Sequence, residues 1–161
     1  MSDLDDLRLQ VRRLTDRAEI GDLIDRFSRD LDDYTAAGRP FDVGWVRRYF
    51  TEDASVSYPV GTATGAAAVS ALIDGTGMAP FARTHHVTTN YVLDLDDDAD
   101  RVPVRFNLIA THVHRDGGDS FTVGDYYDGE VVRTGDGWRF ARQGLTVTWV
   151  DGRPPGMPAP A

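Results

Sequence analysis

The chain contains no cysteine, which excludes disulfides, thiolate nucleophiles and cysteine metal sites. It also contains no lysine: all 17 basic residues are arginine. A lysine Schiff base, and with it ordinary pyridoxal-phosphate chemistry, is therefore impossible. So is a P-loop, which needs its lysine. Against 26 acidic residues the formal net charge is −9, the wrong sign for a nucleic-acid partner. Apolar runs such as Val69–Ile73 are far too short to span a bilayer. The acidic opening MSDLDDLRL lacks the basic and then apolar pattern of a secretory signal, so the expected location is cytoplasmic, with no membrane partner. No HExxH, GxSxG or GxGxxG pattern occurs. Chemistry must come from His, Asp, Glu, Tyr, Arg, Ser or Thr.

What is present fits one domain. The 161 residues are 41% apolar, enough for a packed core. Apolar side chains from Leu4 to Leu31 recur at helical spacing, with Asp3 as N-cap and Gly38–Arg39–Pro40 as the stop. The first three turns, rich in Arg and Asp, are expected to project or to meet a second subunit. A short helix is predicted over 41–50, a strand over 54–60 and a small helix over 62–76. From there the pattern changes to long strands at 84–95, 102–115, 119–133 and 137–150, separated by acidic and glycine-rich turns. Residues 1–150 are read as the domain and 151–161, rich in proline, as a disordered tail. Helices followed by hairpin-linked strands predict an α+β fold, a strongly curved and mainly antiparallel sheet whose N-terminal helices close a pocket.

Strand alternation nominates the site. On 102–115 the even positions Val104, Phe106, Leu108, Ala110 and His112 form the apolar face, which carries His112 inward. On 119–133 the odd face holds Phe121, Val123, Asp125 and Tyr127, so Asp125 is either buried and in need of a partner or solvated at the rim. His85 and His86 must split across the two faces of their strand, with Thr88 and Asn90 sharing the face of His86; alternation leaves open which histidine faces inward. Asp32 follows Leu31 at the end of the first helix, within reach of the buried side. His112 and His114 share a strand face as metal ligands would, but no clear third ligand accompanies them.

Taken in order, FSRDLDDY, WVRRYFTEDASVSYP, RTHHVTTN, the strand ending THVHRD and DGWRFARQ resemble the SnoaL-like branch of the nuclear transport factor 2-like superfamily, over roughly residues 15–150. The resemblance implies that superfamily's cone-shaped α+β barrel. Within it, the scytalone dehydratases offer the nearest functional match, and their catalytic aspartate, tyrosine and two histidines fall on Asp32, Tyr58, His86 and His112. Leu31 stands where that family has a tyrosine, and Asp125 and Tyr127 where it has a serine and an asparagine, so the substrate is expected to differ.

What the resemblance implies is a cofactor-independent dehydratase, cyclase or isomerase acting on a small hydroxylated carbonyl or polyketide-like compound. His112 paired with Asp32 would be the base, His86 the acid, and Tyr58 the group that polarises the carbonyl. Asp125, Tyr127, Asn90, Phe106 and Leu108 would bind the substrate, without metal. The alternatives are an epoxide hydrolase of the same fold, for which Arg105 and Asp125 are the candidates, and a non-catalytic binding module. A sheet with one face uncovered predicts a homodimer or homotrimer.

Overall fold

A computed structural model describes residues 3–96, 100–117 and 120–155. The elements run α1 (Asp3–Ala37), α2 (Val43–Arg47), β1 (Phe50–Tyr58), β2 (Gly61–Thr64), α3 (Ala66–Leu72), a π-helical turn (Ile73–Met78), β3 (Phe81–Leu93), β4 (Arg101–His114), β5 (Phe121–Thr134) and β6 (Gly137–Gly152). The strands form one sheet in the order β2-β1-β6-β5-β4-β3. All neighbours are antiparallel except β1 and β6, which run parallel.

The class is α+β as expected, with a curved, mainly antiparallel sheet. The sheet stays open between β2 and β3, so no strand pairing completes a barrel. Helix α1 lies in the concavity instead and packs on β3. Its Ile20, Leu23, Ile24, Phe27 and Leu31 are buried, one face at a period of 3.6 residues. Phe27 is the hub, with ring centroids 5.5 Å from Tyr49 and Phe50, 5.6 Å from Phe140 and 5.9 Å from Trp45. Each such aromatic pair adds about 0.5–1.5 kcal/mol beyond its area burial.

Several boundaries differ from those expected, each for a local reason. Asp42, not residue 41, starts the second helix: its carboxylate accepts the Trp45 N–H at 2.7 Å as an N-cap. That helix is short because Phe50 already belongs to β1. The helix expected over 62–76 begins only at Ala66, since Gly61 to Thr64 fold back on β1 as a hairpin and Gly65 breaks the chain at φ 88°. Strand β6 continues to Gly152, into the segment expected to be a tail. Residues 156–161 lie outside the described residues, as do 97–99 and 118–119 within two of the turns.

Three irregularities matter for the site. Between Thr89 and Val92 the pairing of β3 with β4 slips, and Asn90 takes φ 57°. The pairing of β5 with β6 slips at Gly124/Asp125 and again at Glu130/Val131. Such bulges add twist and reverse which parity faces inward.

Candidate active site

Beneath α1 the concave face of the sheet leaves a cavity of about 710 Å³, the size of a small-molecule pocket. Its wall is mainly apolar, from Phe27 and Leu31 of α1, Leu108 and Ala110 of β4, Phe121 and Val123 of β5, and Leu145 and Val147 of β6. The polar groups on it are few: His86, His112, Asp125, Tyr58, Tyr127 and Thr76. Pro154 and Pro155 reach it from beyond β6, where His114 Nε2 meets the Arg153 carbonyl oxygen at 2.9 Å.

Alternation could not choose between the paired histidines; the fold does. The His85 side chain is exposed, whereas that of His86 is 5% exposed and faces the cavity. On β4 the alternating burial turns His112 inward. The two imidazoles meet edge to face with centroids 5.7 Å apart.

The partner of Asp32 is a correction. The carboxylate expected to orient His112 is instead held by β3: Oδ1 lies 2.6 Å from His86 Nδ1, and Oδ2 accepts the His86 backbone N–H at 3.0 Å. Thr84 donates its hydroxyl to Oδ1 at 2.8 Å. Thr84 and His86 share one face of β3, and the last turns of α1 cross that strand, so both reach the same carboxylate. Burial works to raise the Asp32 carboxyl, but the hydrogen bond and charge of His86, with the His86 N–H and the Thr84 hydroxyl, outweigh it and hold the group below the usual carboxylate range. An ionised acceptor at Nδ1 fixes the proton there and leaves the lone pair on Nε2. The carboxylate–imidazole pair in the fold is Asp32–His86, where the sequence predicts Asp32–His112.

His112 has a different environment. Its ring stacks on Phe121 (centroids 4.6 Å apart, 8° between planes) and lies 4.7 Å from Phe81. Burial first, then the neighbouring His86, lowers its pKa to about 4, so at neutral pH it is an uncharged imidazole. Among the described residues its buried Nδ1 has no hydrogen-bond partner.

Asp125 is inward and only 6% exposed, which resolves the alternative left open by its sequence position. Its Oδ1 has no hydrogen-bond partner among the described residues. Burial raises its pKa to about 6, against a lowering influence of His86. Tyr58 and Tyr127 line the cavity with ring centroids 6.1 Å apart. Burial drives the hydroxyl pKa of each upward, Tyr58 further raised by Tyr127 and Tyr127 by Asp125. The Tyr58 hydroxyl donates to Gln143 Oε1 in a short hydrogen bond, so in this arrangement its proton is not available to a substrate carbonyl.

Two expected substrate contacts fall elsewhere. Asn90 is exposed at the β3 bulge: beyond it the inward parity passes to Tyr91 and Leu93, which pack against the core. Phe106 is buried behind Tyr127, stacked at 4.9 Å, and is no part of the cavity wall. Leu108 does line it. Arg105, considered for epoxide chemistry, lies on the outer face over the Tyr126 ring at 3.8 Å, across the sheet from Asp125. Among the described residues no group of three or more His, Asp or Glu side chains is arranged to hold a metal ion.

Gln143 escaped the sequence reading. Even positions of β6 (Trp138, Phe140) face inward before the bulge, but Gln143 is buried after it, so simple alternation from Trp138 turns it outward. Thr84 could have been found, because it shares the parity of His86.

Comparison with known proteins agrees with this architecture. No curated protein matches the chain. Among solved structures, the Kfla4162 protein of Kribbella flavida is 28% identical over 85% of this chain and 93% of its own, with a TM-score of 0.68. A candidate scytalone dehydratase of Novosphingobium aromaticivorans is 24% identical, covering 91% of this chain and 97% of its own, with a TM-score of 0.73. The hexachlorocyclohexane dehydrochlorinase LinA-type3 of Novosphingobium barchaimii is 20% identical, covering 94% and 99%, with a TM-score of 0.75. At these identities the last two show the fold, which is the nuclear transport factor 2-like one. A SnoaL-like domain model matches residues 12–143, and with most of the sequence inside that match the chain belongs to the SnoaL-like domain family.

Proposed function

We propose that the protein is a cofactor-independent lyase that removes a proton next to a carbonyl of a small hydroxylated compound and expels water. The observation that carries this reading is the Asp32–His86 contact at 2.6 Å, opening on a cavity that also holds a neutral His112. His86 Nε2 takes the C–H proton, and Asp32 stabilises the imidazolium that forms. The electron pair passes to the carbonyl oxygen, where a His112 ring N–H stabilises the enolate. Collapse of the enolate forms the double bond and breaks the C–O bond, while His86 returns its proton to the departing oxygen. Water leaves and both histidines are neutral again. Compared with the sequence reading, His86 takes the base role of His112. Positioned proton transfer contributes about 10²–10⁴-fold, and an anion-stabilising donor in a dry cavity adds to it. Phe27, Leu31 and Leu108 supply the dry wall. Enolate formation in the same cavity would also serve polyketide-type cyclisation or isomerisation, with dehydration first because a single histidine can carry the proton both ways. A homodimer or homotrimer, in keeping with the uncovered outer face of the sheet, is part of the proposal.

The test is turnover of a β-hydroxyketone such as 3-hydroxy-1-tetralone, followed by the appearance of 1-naphthol. Asp32→Asn is expected to lower kcat by about 10²–10⁴-fold and His86→Gln by at least as much. His112→Gln should lose less than His86→Gln. Full activity in His86→Gln would overturn the reading.

A further inference from the structure

The dyad leaves Asp125 without a task, and Asp125 is the side chain whose situation most needs explaining. An ionised carboxylate with a buried, unpartnered oxygen is costly, and buried polar groups are almost always satisfied by something. Here the surroundings withhold satisfaction. The cavity wall contains no arginine and, apart from Asp125 itself, no charged side chain among the described residues except the titratable histidines. Its polar neighbours do not pair with it: the Tyr58 hydroxyl points its proton at Gln143, His86 Nδ1 is bound to Asp32, and among the described residues no hydrogen bond joins Asp125 Oδ1 to the Tyr127 hydroxyl. Leu108 faces Asp125 across the β4–β5 pair and Val147 across the β5–β6 pair, so neither adjacent strand offers a donor side chain. Unbroken alternation along β5 leaves this acid in the cavity beside Val123 and Tyr127.

We propose that Asp125 is the specificity-determining residue of the cavity: it accepts a hydrogen bond from the hydroxyl of an uncharged ring compound, and by its charge it rejects ligands that carry a carboxylate. A free acid would bring a second anion into a wall with no cation to meet it, and like charges so placed select against that ligand. A neutral alcohol or phenol supplies the missing donor and leaves the apolar ring to Phe27, Leu31 and Leu108. A cationic ligand would answer the carboxylate too, but the mainly apolar wall leaves the dehydration of an ammonium largely uncompensated; that the hydroxyl belongs to a substrate rests on the base reading above. The elevated pKa of Asp125 agrees with a carboxylate that the protein itself does not pair.

The experiment is calorimetric titration of the intact protein at pH 8 with four probes of one shape: 2-naphthol, 2-methoxynaphthalene, 2-naphthoate and 2-naphthylmethylammonium. The expected order puts 2-naphthol about tenfold tighter than the methoxy ether, as a hydrogen bond to a charged acceptor requires, with naphthoate weaker than either and the ammonium no tighter than naphthol. Asp125→Asn, which keeps the shape, should bring naphthol within about twofold of the ether and improve naphthoate by about tenfold or more. Equal binding of naphthol and naphthoate to the wild type would overturn the proposal, as would an unchanged order in Asp125→Asn or a clear preference for the ammonium. Binding is read without turnover. The predicted order in a protein that fails to dehydrate 3-hydroxy-1-tetralone would sink the lyase reading and keep this one, and turnover with the wrong binding order would do the reverse.

Discussion

Two buried groups in one cavity pull stability in opposite directions with pH. His112 has a pKa of about 4 in the fold against about 6.5 unfolded. Below about 6.5 the unfolded chain takes up a proton that the native state refuses, so the neutral His112 contributes stability above that pH, and the contribution is lost as pH falls toward 4. Asp125 has a pKa of about 6 against about 3.9 unfolded. Its protonated form is the comfortable one, so it favours the fold at low pH, and this advantage disappears as pH rises through 6. Each effect is on the order of 3 kcal/mol at its full extent. Asp125→Asn is therefore expected to raise Tm at pH 8 and to lose that gain by pH 4. His112→Gln should flatten the fall in Tm between pH 6.5 and 4. Thermal melts across that range check both, and a lower Tm for Asp125→Asn at pH 8 would contradict the buried, unpaired carboxylate. Stability and ligand selection then conflict at Asp125, as expected where a site residue is left unsatisfied by its own protein.

At the scale of elements, the bulges decide which side chains belong to the site. In β3 the left-handed Asn90 hands the inward face from even to odd positions. In β6 the slip at Glu130/Val131 turns Gln143 inward, while β5 keeps its odd face inward throughout, Asp125 included. The strands come close at Gly129, beside the second slip: a Cβ there would lie 2.2 Å from the Arg142 backbone carbonyl oxygen. Because backbone cannot rotate away as a side chain can, Gly129→Ala must push β5 and β6 apart. A loss of about 2 kcal/mol or more is expected from chemical denaturation, in the range of overpacked cores. Gly135→Ala, in open space within the β5–β6 turn, is the matched control and should stay within about 0.5 kcal/mol. Gln143→Leu tests the same bulge at the site: Tyr58 loses its acceptor, and substrate turnover should change in KM or kcat while the fold remains.

For the whole molecule, two sets of exposed apolar side chains are left uncovered by the domain itself. Leu4, Leu7, Val11 and Leu14 on the first three turns of α1 are each more than half exposed, and Ile109, Val113 and Trp149 project from the outer face of the sheet. Apolar side chains in such number mark a contact surface, and closed symmetry is the usual solution. Light scattering is expected to give a dimer or a trimer. Ile109→Glu should shift it toward monomer and lower Tm in proportion to the lost contact; a monomeric wild type would remove the expectation.

Much was legible in the sequence because it depends on local period. The long first helix, the four long strands and the inward faces of β4 and β5 follow from repeats of 3.6 and 2 residues, and the absence of lysine and cysteine limited the chemistry before any fold was known. His112 was placed by alternation, and Asp32 and Tyr58 were named by resemblance. Other features required the tertiary structure. Alternation holds only while the register holds, so Asn90 and Gln143 were misread or missed where a bulge breaks it. Which histidine Asp32 touches depends on how α1 crosses the sheet, a long-range contact joining residues 54 apart in the chain. The sequence by itself determined which groups are available and roughly which face they occupy. Only the folded chain decided that Asp32 belongs to His86, that His112 is held neutral beside Phe81 and Phe121, and that Asp125 Oδ1 is buried with no partner among the described residues, because each of these is a matter of distance and desolvation between segments remote in the chain.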